Sequence, residues 1–238
     1  MLGTDEVEFL RRVRTAIGPG TTTRAGQTVH GQEKSPSRVA ASLSRSQLLD
    51  KFLIELSLVG GKGYRASGPR QGVERFCAVM QASGMTRAVI WQHPLLAELG
   101  LYSALTGIGL ECWEVTEEIP EEDRMARISA ADVGITAVDY AVAETGSLVL
   151  CSRPGRARMV SLLPPVHVAF LAPHSLVSSL ETLSPLLGKK VDGPCGASNV
   201  VLITGPSRTA DIELSLTQGV HGPKEVHVFA WEEEMPLL

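Results

Sequence analysis

Four short segments in the second half of the chain hold the residue types from which a chemical site could be built. Gly205-Pro206-Ser207-Arg208-Thr209-Ala210-Asp211 directly follows an apolar run. If a helix starts there, Ser207 or Thr209 can cap it, and its free N–H groups beside Arg208 suit a phosphate or carboxylate. The plainer alternative is a capped turn with Arg208 paired to Asp211 or Glu213. Ser152-Arg153-Pro154-Gly155-Arg156-Ala157-Arg158 sets three arginines around a glycine. It is either a cationic rim for an anionic ligand or a solvated turn. In Asp139-Tyr140-Ala141-Val142-Ala143-Glu144-Thr145-Gly146-Ser147, a carboxylate beside a glycine could serve as acid, base or nucleophile. Glu144 could equally bind backbone N–H groups at a turn. Gly219-Val220-His221-Gly222-Pro223 is a shaped loop whose His221 could donate to an anion, shuttle a proton, or bond a nearby carbonyl. His93, ahead of Pro94, is a weaker candidate, and His167 and His227 fall inside apolar runs that suit structural histidines.

These segments need elements to position them. The pattern predicts helices at 73–83, 94–106 and 121–131, with strands at 88–91 and 110–115. It then predicts strands at 147–151, 166–171, 199–204 and 226–231, alternating with helices at 158–163, 176–187 and 209–216. Short apolar strands separated by helices imply βαβ units, hence a doubly wound α/β fold with a largely parallel sheet. Ligands of such sheets bind beyond the carboxyl ends of the strands. That rule selects the turns after Cys151, Leu171 and Thr204.

The first 50 residues read as a separate arm before an α/β domain at 51–238. Val7, Leu10, Val13 and Ile17 fall at helical spacing, and 18–46 is a Gly/Thr/Ser/Pro-rich loop expected to be less ordered than the body. Residues 1–75 carry 12 Lys+Arg against 7 Asp+Glu, and the remainder 10 against 19. No basic run is interleaved with aromatics, which argues against nucleic acid. No apolar run reaches the roughly 18 residues of a membrane span, and the charged N-terminus lacks a signal-peptide core. The expected location is therefore cytoplasmic. Aromatics make up 5% of the chain, so the core should be mostly aliphatic. Cys77, Cys112, Cys151 and Cys195 are scattered, so neither an iron–sulfur cluster nor a zinc site is expected on this chain. There is no G-x-S-x-G elbow, Walker motif or G-x-G-x-x-G, and Gly61-Lys62-Gly63 is only a fragment of the last.

Taken in order, DVGITAVDYAVAETGSLVL (132–150), MVSLLPPVHVAFL (159–171), ITGPSRTADIE (203–213) and GVHGPKEVHV (219–228) closely resemble the LUD-domain family, in particular its LutC-like lactate-utilisation members. The first 130 residues match only loosely. The resemblance implies a fold of the group that holds sugar-phosphate isomerases and CoA transferases. It implies a bacterial role in oxidising L-lactate to pyruvate beside two iron–sulfur partner proteins, with no cofactor bound by this chain itself. The matching motif positions are Glu144, Thr145, Gly146, Arg156, Gly205, Ser207, Arg208, Thr209, Asp211, His221 and Gly222. Glu144 and His221 are the candidate catalytic groups, and the others the candidate ligand-binding groups. Glu144-Thr145-Gly146 also resembles the Glu-Asn-Gly element of some CoA transferases, with Thr145 in place of Asn. That leaves a stand-alone transferase-like enzyme or a non-catalytic sensor as alternatives. The expected site is one anion-binding cleft shared by Glu144, Arg156, Ser207–Arg208 and His221.

Overall fold

A computed structural model of the chain describes residues 43–191, 196–210, 216–219 and 221–233. Ser44 opens the first helix, α1 (Arg45–Leu58), through a capping box: its Oγ accepts from the Gln47 N–H, and the Gln47 side chain accepts from the Ser44 N–H. This helix spans position 50 and takes in Arg45 and Ser46, which the sequence reading assigned to a loop. The 5–17 helix and the rest of that loop lie outside the described residues.

The chain continues through β1 (Lys62–Ala66), α2 (Pro69–Ser83), β2 (Arg87–Trp91), α3 (Pro94–Glu98), α4 (Leu101–Gly107), β3 (Glu111–Val115), α5 (Glu121–Ala130) and β4 (Val133–Ala137). The single helix expected at 94–106 is two, because Gly100 turns left-handed (φ 63°) and breaks it. Next come β5 (Tyr140–Val142), β6 (Ser147–Ser152), β7 (Val166–Leu171), β8 (Leu176–Val177), α6 (Leu180–Val191), β9 (Asn199–Ile203), β10 (Arg208–Ala210), β11 (Leu216–Gln218) and β12 (Glu225–Trp231). Short 3-10 turns at Arg158–Ser161 and Pro173–Ser175 flank β7.

Six strands form one wholly parallel sheet in the order β1-β12-β7-β4-β2-β3. Alternate residues face opposite sides. On one face Phe170 and Phe229 meet Phe76 of α2 and Tyr64 stacks on Phe229, with ring centroids 4.5–5.6 Å apart. On the other, Gly63 lies against Leu53 of α1, and Gly134 admits the Val160 carbonyl where a Cβ would sit 1.8 Å from that oxygen. Both faces are covered, so the inner strands β2, β4, β7 and β12 are mostly apolar, while the edge strands β1 and β3 keep charged, exposed residues; the α/β class with a largely parallel sheet is as expected. The few aromatics are concentrated in this core, where Trp91, Trp231, Phe52, Phe76, Phe170 and Phe229 are its largest fully buried side chains.

The sheet membership differs from expectation. SLVLC and NVVLI do not join VHVAFL. They form β6 and β9 of a second, mixed sheet ordered β8-β5-β6-β9, which packs Val142, Val149, Val177 and Leu183 into its own small core. The helix expected at 176–187 is a two-residue strand followed by α6, and the one expected at 158–163 is a single 3-10 turn. No helix starts at Thr209: Arg208–Ala210 is a strand antiparallel to Leu216–Gln218, and 211–215 lie outside the described residues. Among the described residues, the 205–210 turn therefore does not open the helix N-terminus expected as an anion site.

Candidate functional site

The carboxyl ends of β2, β4 and β7 open into a cleft of about 460 Å³. Its lining comes from the segments that leave those strands: His93 and Leu95 after β2, Val138 to Tyr140 after β4, and Ala172, His174 and Ser175 after β7. Arg153 and Arg156 enter from the turn after β6 and complete it. This is where a parallel sheet offers unblocked strand ends to a ligand.

Each polar group is held by its neighbours. His93 caps α3 by accepting the Leu95 N–H on Nδ1 at 3.1 Å, so the neutral ring carries its proton on Nε2. Asp139 is buried, accepts the Cys151 N–H on Oδ2 at 2.8 Å, and donates its own N–H to Val149. Ser175 ties the β7 turn to the β4 loop through a 3.1 Å bond from Oγ to the Val138 carbonyl. The arginine turn follows the Pro-then-Gly pattern of a type II turn, with Gly155 at φ 73°. It closes through Arg156 N–H to the Arg153 carbonyl at 2.8 Å. Half-buried Arg156 has its pKa drawn down by burial, Asp139 opposing this and Arg153 adding to it. Two guanidinium groups and one buried carboxylate leave one net formal positive charge among the lining's arginines and aspartate. Such a cleft can hold a monoanion and hydrogen-bond its remaining oxygens.

Of the motif positions, Arg156 alone lines this cleft, joined by the weaker candidate His93. The others gather at the opposite end of β6. Because β6 and β9 pair antiparallel, with Leu148 opposite Ile203 and Ser152 opposite Asn199, the Gly146 end of β6 meets Thr204 while the arginine turn lies about 17 Å away. There Thr145 Oγ1 bonds Ser147 Oγ at 2.8 Å, and Ser147 Oγ bonds Thr204 Oγ1 at 2.7 Å. Gly146 (φ 65°) sits so tightly on α1 that a Cβ would lie 2.3 Å from the Leu56 nitrogen. Gly205 (φ 85°) approaches the Val59 carbonyl in the same way. Exposed Arg208 donates from Nη2 to that carbonyl at 3.1 Å, closing the C-terminus of α1. Ser207 donates its N–H to Pro223 and accepts from Gly219, which brings the loop of Gly222 and exposed His221 alongside. Glu144 is exposed on the β5–β6 turn, its N–H bonded to Ser178. Thr209 stands in β10, and Asp211 lies outside the described residues.

The single cleft expected from Glu144, Arg156, Ser207–Arg208 and His221 is thus divided: Arg156 is in one place and the rest are in another. Sequence reasoning did not single out Asp139, Tyr140, Arg153 or His174 individually, and ranked His93 low. The signal was available for His174, since the strand-end rule selected the turn after Leu171. Cys112, buried, has its thiol pushed up to about 12 by burial and the nearby Glu114, which suits an inert packing residue. Among the described residues no group of three or more His, Cys, Asp or Glu is placed to hold a metal ion, and Cys195 lies outside them. No helix among the described residues is long and apolar enough to cross a membrane.

A parallel α/β sheet with a cationic cleft at its strand ends is the class of protein these features define. The LUD domain model matches residues 49–230, and the chain belongs to the LUD-domain family. It is 36% identical over 218 residues to lactate utilization protein C of Halalkalibacterium halodurans, covering 90% of this chain and 92% of that protein. To the protein of the same name in Geobacillus sp. WCH70 it is 27% identical over 223 residues, covering 91% of each. Among solved structures, a DUF162 family protein from Deinococcus radiodurans superposes with a TM-score of 0.56 at 20% identity. That match covers 79% of this chain and 99% of the other, and supports the same fold.

Proposed function

We propose that this chain serves bacterial L-lactate utilisation in the cytoplasm as a subunit without an iron–sulfur cluster, working beside two partner proteins that carry such clusters. Its cleft at the ends of β2, β4 and β7 holds a small monocarboxylate, lactate or pyruvate. One observation carries the ligand: Arg153 and Arg156 enter a cleft whose buried Asp139 leaves a single net positive charge. A guanidinium can take a carboxylate through two parallel bonds. The names of the relatives supply the lactate context.

Glu144, exposed and on the far side of β6, is no part of this cleft, so the reading uses no covalent carboxylate chemistry. Calorimetric titration with L-lactate and pyruvate tests the ligand. Arg156→Ala is expected to weaken binding by about 1.5–3 kcal/mol, the scale of a hydrogen bond to a charged group. Wild-type protein that takes up neither anion at millimolar concentration refutes the ligand reading. Co-purification from a native host, followed by lactate oxidation with and without this chain, tests the subunit role.

A further inference from the structure

We propose that Glu117 is a positioning residue: it clamps the arginine turn so that Arg156 faces the cleft. The proposal rests on the reading of that cleft as an anion site. A six-residue excursion such as Arg153–Arg158 has few contacts of its own, and free arginines extend into water. Here the turn is held by the loops that leave the neighbouring parallel strands. The Gly155 N–H donates to Glu117 Oε1 at 3.1 Å, and the Gly155 carbonyl accepts the Gln92 N–H at 2.9 Å. Two residues further on, the Ala157 carbonyl accepts from Trp91 Nε1 at 2.9 Å. Both backbone polar groups of Gly155 are therefore gripped, the carbonyl from the β2 side by Gln92 and the N–H from the β3 side by Glu117. The approach is close enough that a Cβ on Gly155 would lie 2.8 Å from the Gln92 side-chain oxygen.

Glu117 is itself fixed. Its second oxygen, Oε2, meets Arg124 Nη1 of α5 at 3.4 Å. The carboxylate thus joins α5 to the turn and holds Gly155 from a distance, without lining the cleft. Its side chain is 59% exposed, so its removal should leave the core intact.

The test compares Glu117→Ala with Glu117→Gln in the full-length protein. Gln loses the charge toward Arg124 but keeps an acceptor for the Gly155 N–H. Amide exchange at Gly155 and Arg156 and the affinity for pyruvate are read on the same samples. Glu117→Ala is expected to speed exchange at the turn about tenfold and to weaken pyruvate by a similar factor, while Gln stays within about twofold of wild type on both. Unchanged exchange in the Ala variant overturns the proposal. So does unchanged pyruvate affinity with a loosened turn, and so does a Gln variant as impaired as Ala. If wild type fails to bind pyruvate while exchange follows the expected pattern, the anion reading falls and the clamp on the turn stands.

Discussion

His167 makes stability depend on pH in a window where carboxylates do not titrate. It stands in β7 on the sheet face covered by the Arg158–Ser161 turn and is fully buried. Its Nε2 meets Thr136 Oγ1 at 3.0 Å, and its Nδ1 has no hydrogen-bond partner. Burial, with nearby His227 adding, pushes its pKa down to about 3 from the ordinary 6.5. Above pH 6.5 both folded and unfolded chains hold it neutral, so it has no pH-dependent effect. Below 6.5 the unfolded chain takes a proton that the folded chain refuses, and stability falls by about 1.4 kcal/mol per pH unit down to the folded value. Between pH 7 and pH 5 that amounts to about 2 kcal/mol. His227, also lowered chiefly by burial, adds in the same direction. Glu225 and Asp132 have lowered values, so their contributions are lost only at more acid pH. Urea denaturation at pH 7, 6 and 5 measures the slope. His167→Gln, which keeps a polar group near Thr136 but cannot take up the proton, should be less stable at pH 7 yet lose about 2 kcal/mol less on acidification. An identical slope in wild type and variant would refute the assignment.

Gly134→Ala would set a Cβ 1.8 Å from a backbone carbonyl oxygen that no rotamer change can move. It should cost at least 1–3 kcal/mol, roughly, seen as a melting temperature several degrees lower; an unchanged melting temperature contradicts the packing. Arg208→Ala removes one exposed bond to the Val59 carbonyl, so it should cost under about 1 kcal/mol and leave pyruvate titrations unaltered. A clear loss of affinity would return Arg208 to a binding role. Asp139→Asn removes the negative charge that offsets the arginines, so the affinity ratio of the dianion oxaloacetate to the monoanion pyruvate should rise about tenfold; a constant ratio would show that Asp139 does not set the charge of the site.

How far the sequence reveals the molecule depends on whether the deciding force is local. VHVAFL and VHVFAW are apolar at every position but one, the histidines His167 and His227, which suffices to place them in a sheet covered on both faces. SLVLC has the same character and is equally buried, yet it belongs to another sheet. Nothing within its residues encodes that choice, because strand partnership is set by the chain on either side. The 209–216 segment misleads for a related reason. Thr209, Ile212 and Leu216 have helical spacing, but Arg208 is drawn to the C-terminus of α1, 149 residues earlier in the chain, and the segment starts as a strand paired with Leu216–Gln218. A helix cap was legible in Ser207 and Thr209; the long-range partner that displaced it was not.

The motifs that carry the family likeness separate into two kinds once distances are known. Gly146 and Gly205 are glycine because the backbone of α1 occupies the space of a Cβ, at 2.3 Å and 2.5 Å. The hydroxyls of Thr145, Ser147 and Thr204 form a chain that joins β6 to β9 at that same corner. A joint of this sort restricts residue type as tightly as chemistry would, so a short motif alone cannot distinguish the two. Arg156 and Asp139 differ in kind, since packing does not need a half-buried guanidinium drawn down by desolvation or a carboxylate buried at a strand end. Charges held out of water at the mouth of a parallel sheet cost stability that packing alone would not require. That cost, more than motif membership, marks the ends of β2, β4 and β7 as the working surface.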